Sequence, residues 1–379
     1  MENLRVLFCC TGVGIFNRGI ESFFRDSFDG LKDAMPGIEV RLLKGAKGEQ
    51  GAEEPDTREK TVWCLRRTGK LAVLFGQLIQ RNPYVAEQLS SFPAVVREIH
   101  RWKPHVIFYS DSNLGFLLYR FRKQIGVPFQ LLFSNGGPCR PPFNRTDLVH
   151  QVAPLYLEEA LRAGEPSEKH ILVPYGIQIL EPSILHVDKA VVRTRLGLPT
   201  RRPIVLSVGW IAREHKRMHY VIEEVAQMPE PRPFLQLLGA IDEKSLEIIE
   251  LGNRLLGSEN FSARSVPYQD VTYYYQAADI FVLGSLKEGF GRVYLEALMH
   301  GLPTIGHCHP VIEYVLGNVG TVADLSQPDG LAPVLQNILA QPASEADALA
   351  RWESVRDRFS WDKLALRYSQ MFKSAQLKI

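Results

Sequence analysis

The stretch IFVLGSLKEGFGRVYLEALMHGLP, residues 280–303, constrains the fold more than any other part of the chain. An apolar run from Ile280 to Leu283 is long enough for a buried strand, a turn rich in small residues follows, and a helical pattern opens at about Gly291. Strand, glycine turn and helix in that order make an anion cradle. Gly289 and Gly291, with Phe290 between them, let backbone approach a ligand closely, and the unpaired amides and positive dipole end of the helix point at it. Glu288 lies in the turn and Glu296 about one and a half turns into the helix, so one carboxylate reaches from the loop and the other from the helix flank. Arg292, Glu296 and His300 at four-residue steps also describe a solvated stripe with an ordinary ion pair. Two details favour ligand binding. A surface helix has no need of a Glu-Gly-Phe-Gly turn, and Arg292 in the first turn has the wrong sign for the helix dipole unless an anion lies nearby.

The same unit recurs along the chain. LRVLFCC (residues 4–10) reads as a strand, TGVGIFNRG as a turn holding Gly12, Gly14 and Gly19, and residues 20–35 as a helix. This turn is not G-x-G-x-x-G, and the next strand, EVRLLK, has no acidic residue clearly at its end, which lowers a dinucleotide reading. A helix over 93–102, strand HVIFYS, a helix over 113–124 and a strand over 128–133 continue the alternation. After a proline-flanked linker at about 180–189, PIVLSVG, FLQLLG and 261–266 alternate with helices near 218–228, 243–256 and 270–279. Such alternation predicts an α/β chain of doubly wound parallel sheets, with ligands gathered beyond the carboxyl ends of the strands. Two such ends stand out. One is SNGGPCRPPF, where Asn135 opens an Asn-Gly-Gly turn, and the other is the basic loop WIAREHKR, where Arg213, Lys216 and Arg217 offer a diphosphate clamp.

Other features point to structure. His150 in LVHQVAP reads as a satisfied core histidine, and His307 and His309 with Cys308 lack a further ligand for a metal. KTVWCLRRTGKLAVLFGQLIQRNPY mixes apolar and basic residues; an ordinary helix with one buried face is preferred over a basic amphipathic helix touching anionic lipid. Residues 45–58 are polar and glycine-rich and are expected to form a mobile loop.

With 379 residues the chain exceeds what one core usually serves, so two domains are expected. A net charge of +2 supplies no global field for nucleic acid or a bilayer. The five cysteines include no C-x-x-C pair, which suits a reduced, cytoplasmic setting, and the longest uncharged apolar stretch, 71–79, is far too short to span a membrane.

EGFGRVYLEALMHGLP closely resembles the Glu-x7-Glu segment of the retaining nucleotide-sugar glycosyltransferases of the two-domain GT-B fold, specifically glycosyltransferase family 4. The resemblance covers most of the C-terminal half well and the N-terminal half loosely. It implies two Rossmann-like domains facing a central cleft: an acceptor-side domain over 1–186, joined by the last helix at 360–379, and a nucleotide-sugar domain over 187–359. It implies hexosyl transfer from a UDP- or GDP-sugar to an acceptor hydroxyl, the acceptor being a small molecule, glycan or lipid, without metal or other cofactor and with peripheral membrane association left open. Lys216 falls where the family has a lysine, with Arg213 standing in for an arginine replaced here by Trp210. Glu288 would hold donor-sugar hydroxyls, Glu296 the ribose, the backbone at Tyr268 the base, and Gly289 to Gly291 the phosphates. Gly14 and Gly19 match the family's glycine loop, and Asn135 replaces a sugar-contacting histidine. The alternatives are a degenerate sugar-nucleotide binding protein, an epimerase or phosphorylase of the same fold, and a glycoside hydrolase.

Overall fold

A computed structural model describes residues 3–16, 18–45, 56–137, 139–341 and 344–376. The loop expected over 45–58 lies mostly outside them. The chain divides into two units, one of residues 1–178 with 359–379 and one of residues 179–358.

The first unit runs β1 (Leu4–Cys9), α1 (Gly19–Leu31), β2 (Ile38–Lys44), β3 (Glu59–Thr61), α2 (Lys70–Leu78), α3 (Pro83–Trp102), β4 (Val106–Tyr109), α4 (Ser112–Arg120), α5 (Arg122–Ile125), β5 (Gln130–Asn135), β6 (Leu148–Gln151), α6 (Pro154–Arg162) and β7 (His170–Leu172). Its seven strands lie in the order β3-β2-β1-β4-β5-β6-β7, all parallel. Parallel strands with both faces covered need unbroken apolar runs, and VIFY of β4 is buried at every position. Strand order reverses between β1 and β4.

The second unit runs α7 (Lys189–Leu196), β8 (Ile204–Val208), α8 (Met218–Ala226), β9 (Phe234–Leu238), α9 (Glu243–Leu256), β10 (Phe261–Arg264), α10 (Val271–Ala277), β11 (Ile280–Val282), α11 (Arg292–Met299), β12 (Thr304–His307), α12 (Pro310–Leu316), β13 (Thr321–Ala323), α13 (Ala332–Leu339) and α14 (Glu345–Phe359). Its six parallel strands lie in the order β10-β9-β8-β11-β12-β13, so the reversal falls between β8 and β11. Glu224 of α8 is buried and accepts backbone N–H bonds from Asp329, Leu331 and Ala332 at 2.8–2.9 Å, fastening α8 to the start of α13.

The final helix, α15 (Trp361–Gln376), belongs to the first unit. Phe372 packs 5.7 Å from Phe8 and 5.5 Å from Phe108, ring centre to ring centre, and the Tyr368 hydroxyl donates to the Pro174 carbonyl at 3.0 Å. Deeper in the same aromatic cluster Phe23 stacks on Tyr175 at 3.6 Å. His150 sits there as the sequence suggests: its Nε2–H donates to the Val173 carbonyl at 2.7 Å, Nδ1 meets the Ser134 hydroxyl at 3.1 Å, and burial pushes its pKa down to about 4.

Three elements differ from the sequence reading. The helix expected over 93–102 begins at Pro83, because Asn82 caps it by accepting from the Val85 N–H, and Pro93 lies inside it. β13 was not expected; three residues give too little pattern to read. The largest difference is residues 60–84. Before α3 begins at Pro83 only Lys70–Leu78 is helical, and its large apolar side chains are exposed, because the face that packs carries the small residues Ala72 and Gly76. The ordinary helix with one buried apolar face is therefore not what forms.

Candidate functional site

In a doubly wound sheet the loops at the point of strand reversal part and leave a crevice at the carboxyl ends. In the second unit those loops follow β8 and β11, and they bring Lys216 and Glu288 together. Lys216 Nζ lies 2.7 Å from Glu288 Oε1, with the lysine side chain 18% and the glutamate side chain 5% exposed. A charge so far removed from water needs a partner, and each supplies the other's. The loop that carries Lys216 is tightly wound: His215 and Arg217 on either side both take left-handed backbone angles, φ 54° and 49°. Arg217 is fixed by donating to the carbonyls of Gly284 and Leu325 at 3.2 and 2.6 Å, and non-glycine strain of this kind collects at functional sites. Gly209, at the end of β8, gives the lysine its path; a Cβ there would stand 3.1 Å from the lysine stem.

Glu288 leads into the turn that starts α11. Gly291 is the residue before the helix, at φ 83°, and a Cβ on it would lie 2.7 Å from the Tyr294 ring, so glycine is needed for conformation and for space. Phe290 is buried and Gly289 half-buried. The solvated-stripe alternative for Arg292, Glu296 and His300 does not hold, since Arg292 is buried and the other two are half-buried. Behind Glu296 stands a support that the sequence did not reveal. The buried Tyr275 hydroxyl donates to Glu296 Oε2 at 2.9 Å, and its ring stacks on His300 at 5.0 Å. Burial lowers the His300 pKa to about 4, so the ring is neutral at pH 7; Nδ1–H donates to the Glu296 carbonyl at 2.7 Å and Nε2 accepts from Thr272 at 2.8 Å. Tyr268 begins the half-exposed turn after β10.

Arg213 is placed elsewhere. Its Nε and Nη2 bond to Glu247 Oε1 of α9 at 3.0 and 2.7 Å, at the surface, and the Trp210 indole N–H donates to Asp242 Oδ2 at 3.0 Å. Joining Lys216 requires Arg213 to leave Glu247, a change that costs little because an exposed pair is worth about 1 kcal/mol or less. Beyond β12, His307, Cys308 and Asp324 bring one possible metal ligand each within 4.8 Å of one another. His307 Nδ1 already accepts the Leu325 N–H at 3.1 Å, and His309 caps α12 through Val311 at 3.3 Å.

The reversal point of the first unit carries different chemistry. After β1 and β4 it gathers Thr11 and Asp111, with Glu87 of α3, Glu21 of α1 and Arg67. Asp111 accepts the Thr11 N–H at 2.7 Å and the Tyr84 hydroxyl at 2.9 Å; burial raises its pKa and these bonds oppose the rise. Arg67 grips Glu87 through Nη2 at 2.7 Å and Nε at 3.0 Å, and lies over the rings of Phe16 and Tyr84 at 4.0 and 4.1 Å. Burial pushes Glu21 up to about 7. Of the expected glycines here, Gly14 has φ 80°, whereas a Cβ on Gly19, the first residue of α1, meets nothing. Gly12 is crowded: a Cβ there would lie 2.5 Å from Glu21 Oε1. Asn135 is buried at the end of β5. It accepts the Cys139 N–H at 2.8 Å and donates to Gln151 at 2.9 Å, so the side chain closes its own loop.

Residues 188–352 match the family described as "Glycosyl transferases group 1", so the second unit carries a glycosyltransferase domain of that group. The chain is 29% identical over 190 residues to the lipopolysaccharide core biosynthesis glycosyltransferase LpsE of Rhizobium meliloti, covering 49% of this chain and 54% of that protein. It is 32% identical over 108 residues to O-antigen chain mannosyltransferase B of Escherichia coli, covering 28% of each. The chain thus spans about half or less of these relatives' lengths. Its fold is similar to that of sucrose-phosphate synthase from Thermosynechococcus elongatus, with TM-score 0.77 at 20% identity over 100% of both chains. It is also similar to Anabaena HepE, solved in complex with UDP-glucose, with TM-score 0.73 at 15% identity over 98% of this chain and 100% of that one. The architecture is the two-domain, parallel-sheet GT-B architecture.

Proposed function

We propose that this protein is a retaining, family 4 glycosyltransferase that moves a hexosyl group from a UDP- or GDP-sugar to an acceptor hydroxyl without a metal ion. The observation that carries the reading is the Lys216–Glu288 contact at the reversal point of the second sheet, beside the turn that opens α11. As the bond from sugar to phosphate breaks, negative charge grows on the diphosphate, and a cation fixed beforehand stabilises it where it develops. Lys216 supplies that cation and the amides of Gly289 to Gly291 reinforce it. An entering diphosphate offers Lys216 a second anion, which releases Glu288 toward the hydroxyls of the donor sugar. Glu296, set by Tyr275 and the neutral His300, takes the ribose hydroxyls, and the base lies against the backbone at Tyr268. The leaving phosphate assists removal of the acceptor proton. Arg213 joins the diphosphate by exchanging Glu247 for it. The complexes of HepE with UDP and with UDP-glucose support a nucleotide-sugar donor.

The test is incubation with a panel of nucleotide sugars in the presence of a chelator, following thermal stabilisation and release of nucleoside diphosphate. Stabilisation and slow release with one donor are expected. Stabilisation with no release, even after acceptor extracts are added, identifies a binding protein; free sugar without nucleotide chemistry identifies a hydrolase.

A further inference from the structure

Helix α2 is built inside out. Ala72 and Gly76, four residues apart, face the protein, while Leu71, Leu74, Phe75 and Leu78 form an i, i+3, i+4, i+7 stripe on the other side. Leu71 is 71% exposed, Leu74 67% and Leu78 80%, against 1% for Ala72. The helix is mounted firmly. Before it, Arg67 is clamped by Glu87 and two aromatic rings; after it, the chain passes so close under Gly76 that a Cβ would fall 2.7 Å from the Arg81 carbonyl. An apolar stripe held rigidly toward water is costly unless something covers it.

The charge around the stripe says what covers it. From residue 60 to residue 86 there is no acidic residue, while Lys60, Arg66, Arg67, Lys70 and Arg81 are all cations. Arg66, Lys70 and Arg81 are exposed, and among the described residues they make no ion pair. Trp63, just upstream, is 68% exposed. Leucine and phenylalanine on one face, flanking cations and a tryptophan make the pattern of a helix that lies in a membrane interface, whose lipid phosphates take the charges while the acyl boundary takes the side chains. A second copy of the chain fits less well, because a two-fold contact would set this acid-free segment against itself, cation to cation. No helix among the described residues is long and apolar enough to cross a membrane. We infer that α2 is a monotopic docking helix that seats the first unit on an anionic lipid surface.

The full chain tests this by co-sedimentation with vesicles of mixed phosphatidylglycerol and phosphatidylcholine and with vesicles of phosphatidylcholine alone. Binding to the anionic vesicles is expected, with a Trp63 emission shift to shorter wavelength that Trp63→Phe removes. Leu74→Ser with Leu78→Ser, both exposed and away from the packed face, should weaken binding about tenfold or more with melting temperature unchanged. Lys70→Gln and Arg81→Gln should each weaken it roughly fivefold, and salt at about 0.5 M should do the same. Equal binding to neutral vesicles, no binding to either, or a dimer that the serine pair dissociates would overturn the inference. Binding requires no turnover, so the result does not depend on the proposed reaction.

Discussion

The two reversal points make an instructive pair. Both lie where a parallel sheet turns back on itself, both hold glutamate beside a cation, and both are largely closed to water. In the second unit the cation is Lys216, a flexible point charge with, among the described residues, a single carboxylate contact, Glu288, and an adjoining turn with φ > 0 at Gly291. In the first it is Arg67, forked onto Glu87 and roofed by two rings. Lysine gives up one partner for another at small geometric cost, whereas a forked, stacked arginine does not. The difference is the one expected between a site that exchanges ligands, as proposed for the second unit, and one that holds the fold.

Substitutions can break that distinction. Arg67→Met leaves Glu87 buried and uncompensated and should cost about 3–5 kcal/mol of stability, measured by denaturant unfolding. Nucleotide-sugar binding by the second unit should persist below the transition. Next in size is an acid effect. His150 has its folded pKa depressed to about 4 against about 6.5 unfolded, so its contribution is full above pH 6.5 and is lost as pH falls toward 4. The loss approaches roughly 3 kcal/mol, and His150→Gln should flatten that part of the stability profile while lowering stability at pH 7. Glu296→Gln and Tyr275→Phe should each weaken donor binding by roughly tenfold by calorimetry with little change in melting temperature, which separates a positioning pair from a structural one. Smallest is Arg213→Ala, which should lower turnover about fivefold by removing the exchange onto the diphosphate; turnover unchanged within about twofold would show that Arg213 stays with Glu247.

The second unit was the more legible in sequence because its chemistry is local. Glu288, Gly289, Phe290, Gly291 and Glu296 lie within one strand–turn–helix segment, and the lysine follows a strand-end glycine by seven positions. Tyr275 carries no signal because a tyrosine in YYY has no distinctive spacing, and His300 shows only its four-residue step from Glu296, which equally describes a solvated stripe; only packing sets the two behind Glu296. In the first unit Thr11, Glu21, Arg67, Glu87 and Asp111 come from five separate places and meet through strand order alone, so no motif announces them. The resemblance puts Asn135 on the acceptor or sugar side with turn chemistry as the rival, and its bonds to Cys139 and Gln151 serve the turn. Helix α2 misled for a physical reason. Apolar periodicity shows that a helix has two faces and leaves open which of them meets the core, and here small residues do.

The central claim is that Lys216 and Glu288 act on the donor, and turnover set beside stability tests it most directly. Lys216→Met and Glu288→Gln should each lower nucleoside diphosphate release by about a hundredfold to a thousandfold. Each single variant also strands a charge or a lost partner, so melting temperature should fall. The neutral double variant Lys216→Met/Glu288→Gln should recover melting temperature and leave turnover lost. Recovery of turnover along with stability in the double variant would show that the pair only holds the loops together, and would contradict the account.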